Sequence, residues 1–194
     1  AEQIKFEAGV FIAGGNHQSI SLEEVARQAD GSLDTFALVQ DAPFTFPGGC
    51  HAAEVEVDPE TGVTDILNYY AVDDYGTVIS PTFTKGQVMG GVAQGIGYGI
   101  MEEMVFDGKT GRTLTSDFAQ YEIPTSMDTP EIEPLLIEEG EPTGPYGAKG
   151  VGEPGIVPTA PAIANAVFNA IGVSVNELPV TAERVLGALR SKSG

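Results

Sequence analysis

Cysteine and histidine are scarce in this chain. Its 194 residues include one cysteine, Cys50, and two histidines, His17 and His51. A single cysteine excludes a disulfide within the chain, and it excludes a zinc or iron–sulfur site built from cysteines alone. The two histidines are far apart in sequence and belong to no cluster with ligand spacing. We therefore expect no metal held directly by side chains of this chain. The lack of a disulfide framework favours a cytoplasmic protein.

Positive charge is also scarce, with 9 Lys and Arg residues against 28 Asp and Glu residues and a net charge of −19. Binding to nucleic acid or to an anionic membrane surface needs clustered basic residues. No apolar run approaches the length that spans a bilayer, and the N-terminus lacks the pattern of a signal peptide. We expect no nucleic acid partner, no membrane insertion and a cytoplasmic location.

The patterning predicts a globular α+β protein, with mixed sheets and packed helices. Hydrophobic residues make up 42% of the chain, and 25 Gly and 13 Pro residues punctuate it along its length. Strands and helices follow one another without strict βαβ alternation. Residues 1–34 are expected to form a small hairpin–helix unit, and residues 35–194 the main domain. The predicted strands are 4–6, 10–12, 35–39, 53–58, 64–73, 77–79, 118–123 and 132–137, and the predicted helices are 21–29, 84–104, 160–171 and 181–190.

The second predicted helix is unusually rich in glycine. Its start, Thr84-Lys85-Gly86-Gln87, has the spacing of a capping box, in which the N-cap and N3 side chains bond to each other's backbone N–H. Each glycine inside a helix costs about 1 kcal/mol relative to alanine. Gly91, Gly95 and Gly99 recur at i+4 and share one face, so they indicate close approach of a neighbouring element or a ligand. A packing seam is the commoner of these two explanations.

Residues 147–154, Gly-Ala-Lys-Gly-Val-Gly-Glu-Pro, favour neither helix nor strand. Such a loop lets backbone approach a ligand closely while a single carboxylate, Glu153, is aimed at it. The plainer alternative is a tight turn in which Glu153 is solvated. Lys149 could neutralise the loop or pair with a carboxylate.

Four stretches, residues 49–58, 70–81, 86–97 and 147–154, carry a family resemblance in this order and spacing. They resemble the C-terminal part of the molybdenum-binding large subunit of the xanthine dehydrogenase/aldehyde oxidase family, the molybdenum hydroxylases. Bacterial carbon monoxide dehydrogenase-like members look closest. The resemblance covers residues 36–172, and it implies a C-terminal portion of a molybdenum cofactor-binding domain. Its most specific part is the Gln-x-x-Gly-Gly-x-x-Gln-Gly-x-Gly helix followed by Gly-x-Lys-Gly-x-Gly-Glu-Pro.

The resemblance also implies roles for individual residues. Glu153 matches the family's general base, which acts on the molybdenum-bound hydroxyl that attacks the substrate carbon. Gly152 would bring its backbone close to the molybdenum ligands, and Gln87 would contact the pterin. Gln94 is a weaker candidate for cofactor contact. Without the resemblance, Gln87 is explained by the capping box and Gln94 by an exposed position on the helix.

A general base works best when its pKa lies near the operating pH, and burial in apolar surroundings moves carboxyl groups in that direction. Val151, Pro154, Ile156 and Val157 could supply such surroundings for Glu153. Backbone N–H groups of the glycine loop and of residues 84–87 at the helix start could donate to anionic oxygens. Cys50 and His51 are interpreted as structural.

The resemblance further implies a molybdopterin cofactor, with the cytosine dinucleotide form favoured by the bacterial members. The pterin holds the metal, which agrees with the lack of a His or Cys cluster here. Family large subunits are several times longer than this chain, so the remainder of the large subunit is an expected partner. [2Fe–2S] clusters and FAD are expected only on partner chains or domains, together with a small-molecule substrate. Two other functions stay open: a non-catalytic structural or assembly domain, and a small anion-binding module.

Overall fold

The chain is described by a computed structural model that covers residues 4–15, 18–29, 33–38 and 43–192. It divides into two compact units, Ala1–Asp41 and Ala42–Gly194. This division falls somewhat later than the boundary after residue 34 that the sequence suggests. No helix in the described ranges has both the length and the apolar character needed to cross a membrane.

The first unit is a three-stranded antiparallel sheet followed by a short helix. The strands β1 (Ile4–Glu7), β2 (Val10–Ala13) and β3 (Ser19–Ser21) pair in that order, and α1 spans Leu22–Gln28. Ala8 and Gly9 join β1 to β2 with positive φ angles of 48° and 81°, as a tight hairpin turn requires. The Ser21 hydroxyl accepts the Glu24 N–H at 3.1 Å and caps α1. The predicted hairpin and the predicted helix at residues 21–29 are both present.

The predicted strand at residues 35–39 is not confirmed. Residues 33–38 have no regular secondary structure, and Val39 lies outside the described residues.

The second unit contains a mixed sheet in the order β4-β5-β6. Strand β4 (Gly48–Val57) runs antiparallel to β5 (Thr64–Asp74), and β6 (Glu131–Ile137) runs parallel to β5. Apolar residues alternate with acidic ones along the predicted strand at residues 53–58, and the apolar ones, Ala53, Val55 and Val57, pack against the core. Strand β6 continues through Pro134 because it lies at the edge of the sheet, where a proline without an N–H is tolerated.

The described part of the second unit also contains three α-helices, α2 (Pro81–Ile96), α3 (Thr159–Ile171) and α4 (Ala182–Lys192), and a π-helical turn at Gly97–Met101 extends α2. Buried side chains from all three helices and from β5 meet in one core, which includes Tyr69, Val88, Val92, Ile96, Ile163, Val167 and Val185. A mixed sheet packed against helices confirms the α+β class.

Two further predicted strands are wrong. In residues 118–123 the Asp117 carbonyl accepts the N–H groups of Gln120 and Tyr121, so local turn bonds replace strand pairing. In residues 77–79 the Thr77 N–H donates to the Gly147 carbonyl, and the segment forms no ladder.

Candidate functional site

The glycine loop of residues 147–158 lies directly on helix α2. A Cβ atom added to Gly91 would stand 3.0 Å from the Gly155 carbonyl carbon, and one added to Gly95 would stand 2.4 Å from Thr159 Cβ. Gly155 in turn leaves no room for a side chain, since its Cβ would lie 3.0 Å from the Val88 carbonyl oxygen. Gly91 and Gly95 therefore form the predicted packing seam: Gly91 packs against the loop that carries Glu153, and Gly95 packs against Thr159 at the start of α3.

The Gln87 side chain forms a hydrogen bond to the same loop near its centre. Its Nε2 donates to the Gly152 carbonyl oxygen at 2.8 Å. The predicted capping box is wrong, because α2 begins at Pro81 with Ser80 as N-cap, and Thr84 lies buried in the first turn with its N–H bonded to the Ser80 carbonyl. The N–H of Thr84 is thus already paired within the helix. The structure joins two predicted site residues, Gln87 and Gly152.

A further support of the loop is Tyr98, whose hydroxyl donates to the Ile156 carbonyl oxygen at 2.8 Å. Sequence reasoning missed this residue. The only available signal was its place at the end of the glycine-rich helix, and that position alone does not indicate a contact with the loop.

The start of the loop is tied to the end of β5. The Lys149 ammonium pairs with the Asp74 carboxylate, and the Lys149 N–H donates to the Tyr75 carbonyl oxygen at 2.8 Å. The Gly150 N–H donates to Thr45 Oγ1 at 3.1 Å. Lys149 thus pairs with a carboxylate, one of the two roles that the sequence left open.

The Lys149 hydrogen bond, helped by backbone N–H donors from Gly76 and Glu139, holds the pKa of the Asp74 carboxyl below its ordinary value. A carboxyl group whose pKa is lowered by folding stabilises the folded state above its unfolded pKa, and this contribution is lost as the pH falls through the folded pKa. Lys149→Met is expected to cost about 1 to 3 kcal/mol at neutral pH.

Thermal unfolding of the complete subunit over a pH series checks this expectation. The stability difference between wild type and Lys149→Met should be constant between pH 6 and pH 8 and should shrink below roughly pH 4. Lys85→Met removes an exposed lysine of α2 and serves as the control. A difference that grows in acid would contradict the assignment.

Glu153 lines a cleft of about 350 Å³ together with Pro47, Gly48, Gly49, Asp73, Pro154, Val157 and Pro158. Its carbonyl oxygen accepts the N–H groups of Ile156 and Val157 at 3.0 and 3.2 Å, which turns the chain towards α3. The side chain itself is exposed. Val157 is 67% exposed, so within the part of the chain that the structure describes Glu153 lacks the apolar burial expected from its neighbours.

The opposite wall of the cleft includes a buried acid, Asp73. Its carboxylate oxygens lie 3.0 and 3.2 Å from His51 Nε2, and the Tyr75 hydroxyl donates to it at 3.0 Å. A Cβ on Gly49 would stand 2.0 Å from Asp73 Oδ1, so β4 passes this carboxylate without room for a side chain. Sequence reasoning interpreted His51 as structural and did not single out Asp73.

One face of α2 is exposed and carries amides and glycines, namely Gly86, Gln87, Gly90 and Gln94. At Gly86 and Gly90, as at Gly150 and Gly152 of the loop, nothing lies within 4 Å of an added Cβ. Backbone at these positions is open to close approach by a bound group. Gln94 is exposed on the same helix face as Gln87. In contrast to Gln87, it makes none of the described hydrogen bonds to the loop.

These residues fit a cofactor whose own atoms, rather than protein side chains, ligate the metal. Within the described ranges, no group of three His, Cys, Asp or Glu side chains is arranged to hold a metal ion. A molybdenum centre would therefore depend on the pterin for its ligands. The open glycine backbone and the amide side chain of Gln87 are groups that can approach such a cofactor.

Comparison with known proteins agrees with this chemistry. Residues 1–130 match the model of the molybdopterin cofactor-binding domain. The chain is 34% identical over 197 residues to the 6-hydroxypseudooxynicotine dehydrogenase complex subunit gamma of Paenarthrobacter nicotinovorans, covering 95% of this chain and 25% of that protein.

Solved structures show the same fold. Quinoline 2-oxidoreductase from Pseudomonas putida 86 matches with a TM-score of 0.84 and 31% identity over 97% of this chain and 26% of its own. Carbon monoxide dehydrogenase from Oligotropha carboxidovorans matches with a TM-score of 0.81 and 25% identity over 99% of this chain and 25% of its own. The chain thus spans about a quarter of the length of these relatives. It belongs to the family of molybdopterin cofactor-binding domains found in the molybdenum-binding large subunits of xanthine dehydrogenase/aldehyde oxidase-type oxidoreductases, the molybdenum hydroxylases.

Proposed function

We propose that this chain supplies the general base, Glu153, and part of the molybdopterin site of a molybdenum hydroxylase. The enzyme would hydroxylate an aldehyde, an N-heterocycle or a similar small substrate, with water as the oxygen source. One observation carries the proposal: an exposed glutamate lines a cleft on a glycine loop whose backbone is open at Gly150 and Gly152 and fastened by Gln87.

The reaction breaks a C–H bond of the substrate and forms a C–O bond to an oxygen from water. It releases two protons and two electrons. A bound molybdenum cofactor would supply the two-electron acceptor that this reaction needs. This chain would accept one of the two protons. The Glu153 carboxylate would take that proton from the oxygen nucleophile as the C–O bond forms.

Gln87 acts on the cofactor side of the same loop. Its Nε2 donates to the Gly152 carbonyl oxygen, which fixes the orientation of the peptide group between Gly152 and Glu153. The peptide N–H groups of a glycine loop are donors for anionic oxygens. We propose that Gly152 and Gln87 contact the cofactor near the metal, and that Gln94 extends this contact along the exposed face of α2.

The proposal extends to the form of the pterin, the location of the protein and its partner chains. We propose that the pterin has the cytosine dinucleotide form and that the protein is cytoplasmic. The remainder of the large subunit would complete the cofactor and substrate sites. With one cysteine, this chain cannot ligate a [2Fe–2S] cluster by itself, so such clusters, and FAD, would lie on partner chains or domains.

The cofactor contact is tested by Gly152→Leu in the complete subunit. Nothing lies within 4 Å of a Cβ at Gly152, so the leucine should leave the fold intact while blocking the approach of a bound group. We expect molybdenum and pterin content to fall at least about tenfold, which corresponds to 1.4 kcal/mol of lost affinity.

Gly108→Leu is the matched control, because Gly108 is an exposed turn glycine with equally open space. It should retain full molybdenum and pterin content. If Gly152→Leu binds as much cofactor as Gly108→Leu, the loop does not face the cofactor, and a structural or assembly role for the chain becomes the better account.

A further inference from the structure

A buried polar network lies behind the cleft that Glu153 lines. The side chains of His51 and Asp73 are 0% and 3% exposed, and they face each other across neighbouring strands of the sheet. Tyr75, which is 2% exposed, donates its hydroxyl to the same carboxylate. The Asp73 carboxylate thus belongs both to the wall of the cleft and to the interior of the protein.

The network continues from Asp73 towards the glycine loop. His51 Nδ1 lies 2.9 Å from the Tyr69 hydroxyl, and Tyr69 is 0% exposed. Burial raises the pKa of Tyr69 to about 12, so its hydroxyl keeps its proton at neutral pH although the neighbouring Thr159 hydroxyl acts in the opposite direction. Thr159 Oγ1 donates to the Gly155 carbonyl oxygen at 2.9 Å. The Thr159 hydroxyl is close enough to the Tyr69 hydroxyl to influence its pKa, so neighbouring polar groups extend from the cleft wall to the backbone two residues beyond Glu153.

Stability alone does not explain this arrangement. Taking a carboxylate and an imidazole out of water carries a desolvation penalty that can exceed their mutual attraction, and apolar side chains of similar volume often stabilise such a position equally well. A fully connected buried network does rigidify the elements that it joins. Here the hydrogen bonds join β4 to β5, and both strands line the cleft beside Glu153.

We propose that His51 and Asp73 are positioning residues for Glu153. They fix the wall of the cleft, and through Tyr69 and Thr159 they hold the Gly155 carbonyl, so that the Glu153 carboxylate keeps its orientation towards the cleft. The inference rests on the proposed function of Glu153 as base. None of these four residues has to touch the substrate or the cofactor for this role.

The positioning role is tested by Tyr69→Phe in the complete enzyme with its cofactor and partner subunits. It removes one hydroxyl from the middle of the network and keeps the aromatic ring in the core. We expect kcat to fall about 10- to 100-fold, as for a small misplacement of a catalytic group, with KM within about twofold of wild type. Molybdenum content should stay unchanged, and amide hydrogen exchange should accelerate selectively in residues 150–158.

Thr159→Val removes the next hydroxyl with little change in volume and should give the same pattern. Because both substitutions interrupt one chain of contacts, the double variant should lose little more activity than the more affected single variant. Asp73→Asn should also lower kcat, but it disturbs a buried hydrogen-bonded pair and can unfold the protein. Tyr70→Phe is the control, since Tyr70 lies on the same strand and is 40% exposed.

Normal kcat in Tyr69→Phe and Thr159→Val would overturn the inference, as would faster exchange throughout the subunit without selective change in the loop. Glu153→Gln, made in parallel, separates the two claims. If Glu153→Gln is inactive while Tyr69→Phe is fully active, only the positioning role fails. If Glu153→Gln is active, the proposed function fails.

Discussion

Glu153→Gln is expected to lower kcat of the complete enzyme by about 10²- to 10⁴-fold, the usual contribution of a general base. Glutamine has the shape of glutamate, but its amide cannot accept a proton at neutral pH. The side chain is exposed, so the substitution should change the free energy of unfolding by less than about 0.5 kcal/mol. Molybdenum and pterin content should remain normal, because the proposed cofactor contacts come from Gly152 and Gln87.

The measurement is kcat per bound molybdenum, compared with a Glu60→Gln variant. Glu60 is an exposed glutamate in the turn between β4 and β5, so its substitution changes the charge of the chain by the same amount. Glu60→Gln should retain wild-type activity. A Glu153→Gln enzyme with the kcat of Glu60→Gln would remove Glu153 from the mechanism.

Gly95→Val is expected to have the largest effect on stability. A Cβ at position 95 would lie 2.4 Å from Thr159 Cβ and 2.7 Å from Thr159 Cγ2, and Thr159 is 0% exposed. The two helices can make room only by separating, which would open the core around Ile96 and Ile163. Overpacking of this kind costs about 1 to 3 kcal/mol, and valine at a position without space for a Cβ should lie at the upper end.

Thermal unfolding of the complete subunit checks this expectation. Gly187→Val is the matched control, because Gly187 is a helical glycine of α4 with no atom within 4 Å of an added Cβ. Valine is a better helix former than glycine, so the control should be neutral or slightly stabilising. Equal melting temperatures for the two variants would show that the seam between α2 and α3 is not tightly packed.

Local patterns in the sequence predicted the elements whose causes are local. The alternation at residues 53–57 and the Ala8-Gly9 turn each depend on neighbouring residues, and both hairpins are present. The i+4 spacing of Gly91 and Gly95 indicated a packing seam, because a helix places such residues on one face. The partner of the seam could not be read from the helix itself.

The contacts of the glycine loop are long-range, and this is why the sequence did not show them. Gln87 and Gly152 are 65 positions apart, and nothing near Gln87 distinguishes a bond to a distant carbonyl from a helix cap. Capping-box spacing favoured the wrong explanation, because the proline at position 81 starts the helix earlier.

The His51–Asp73 pair depends on an irregularity in the sheet. The register of β4 and β5 shifts between Glu54 and Val55, and beyond this shift His51 lies opposite Ala71. In a hairpin extended regularly from the Val57–Thr64 pair, His51 would lie opposite Tyr70. Because a slip of one residue exchanges the faces of a strand, the network could not be predicted without knowing the bulge.

The sequence left two environments open for Glu153, a solvated turn and a carboxyl group among apolar neighbours, and it could not decide between them. Apolar neighbours in sequence suggested a buried carboxyl group, yet Val157 and Glu153 are both exposed in this chain. The chain spans about a quarter of the length of these relatives, and we propose that the remainder of a large subunit would cover the cleft.

The central claim is that the cleft beside Glu153 faces the molybdenum end of the cofactor. A structure of the complete subunit with its cofactor bound tests this most directly. The account predicts that the metal centre lies over the cleft formed by residues 47–49 and 153–158, with Glu153 and Gly152 its nearest neighbours from this chain. A cofactor bound away from this cleft, with Glu153 in contact only with solvent or protein, would contradict it.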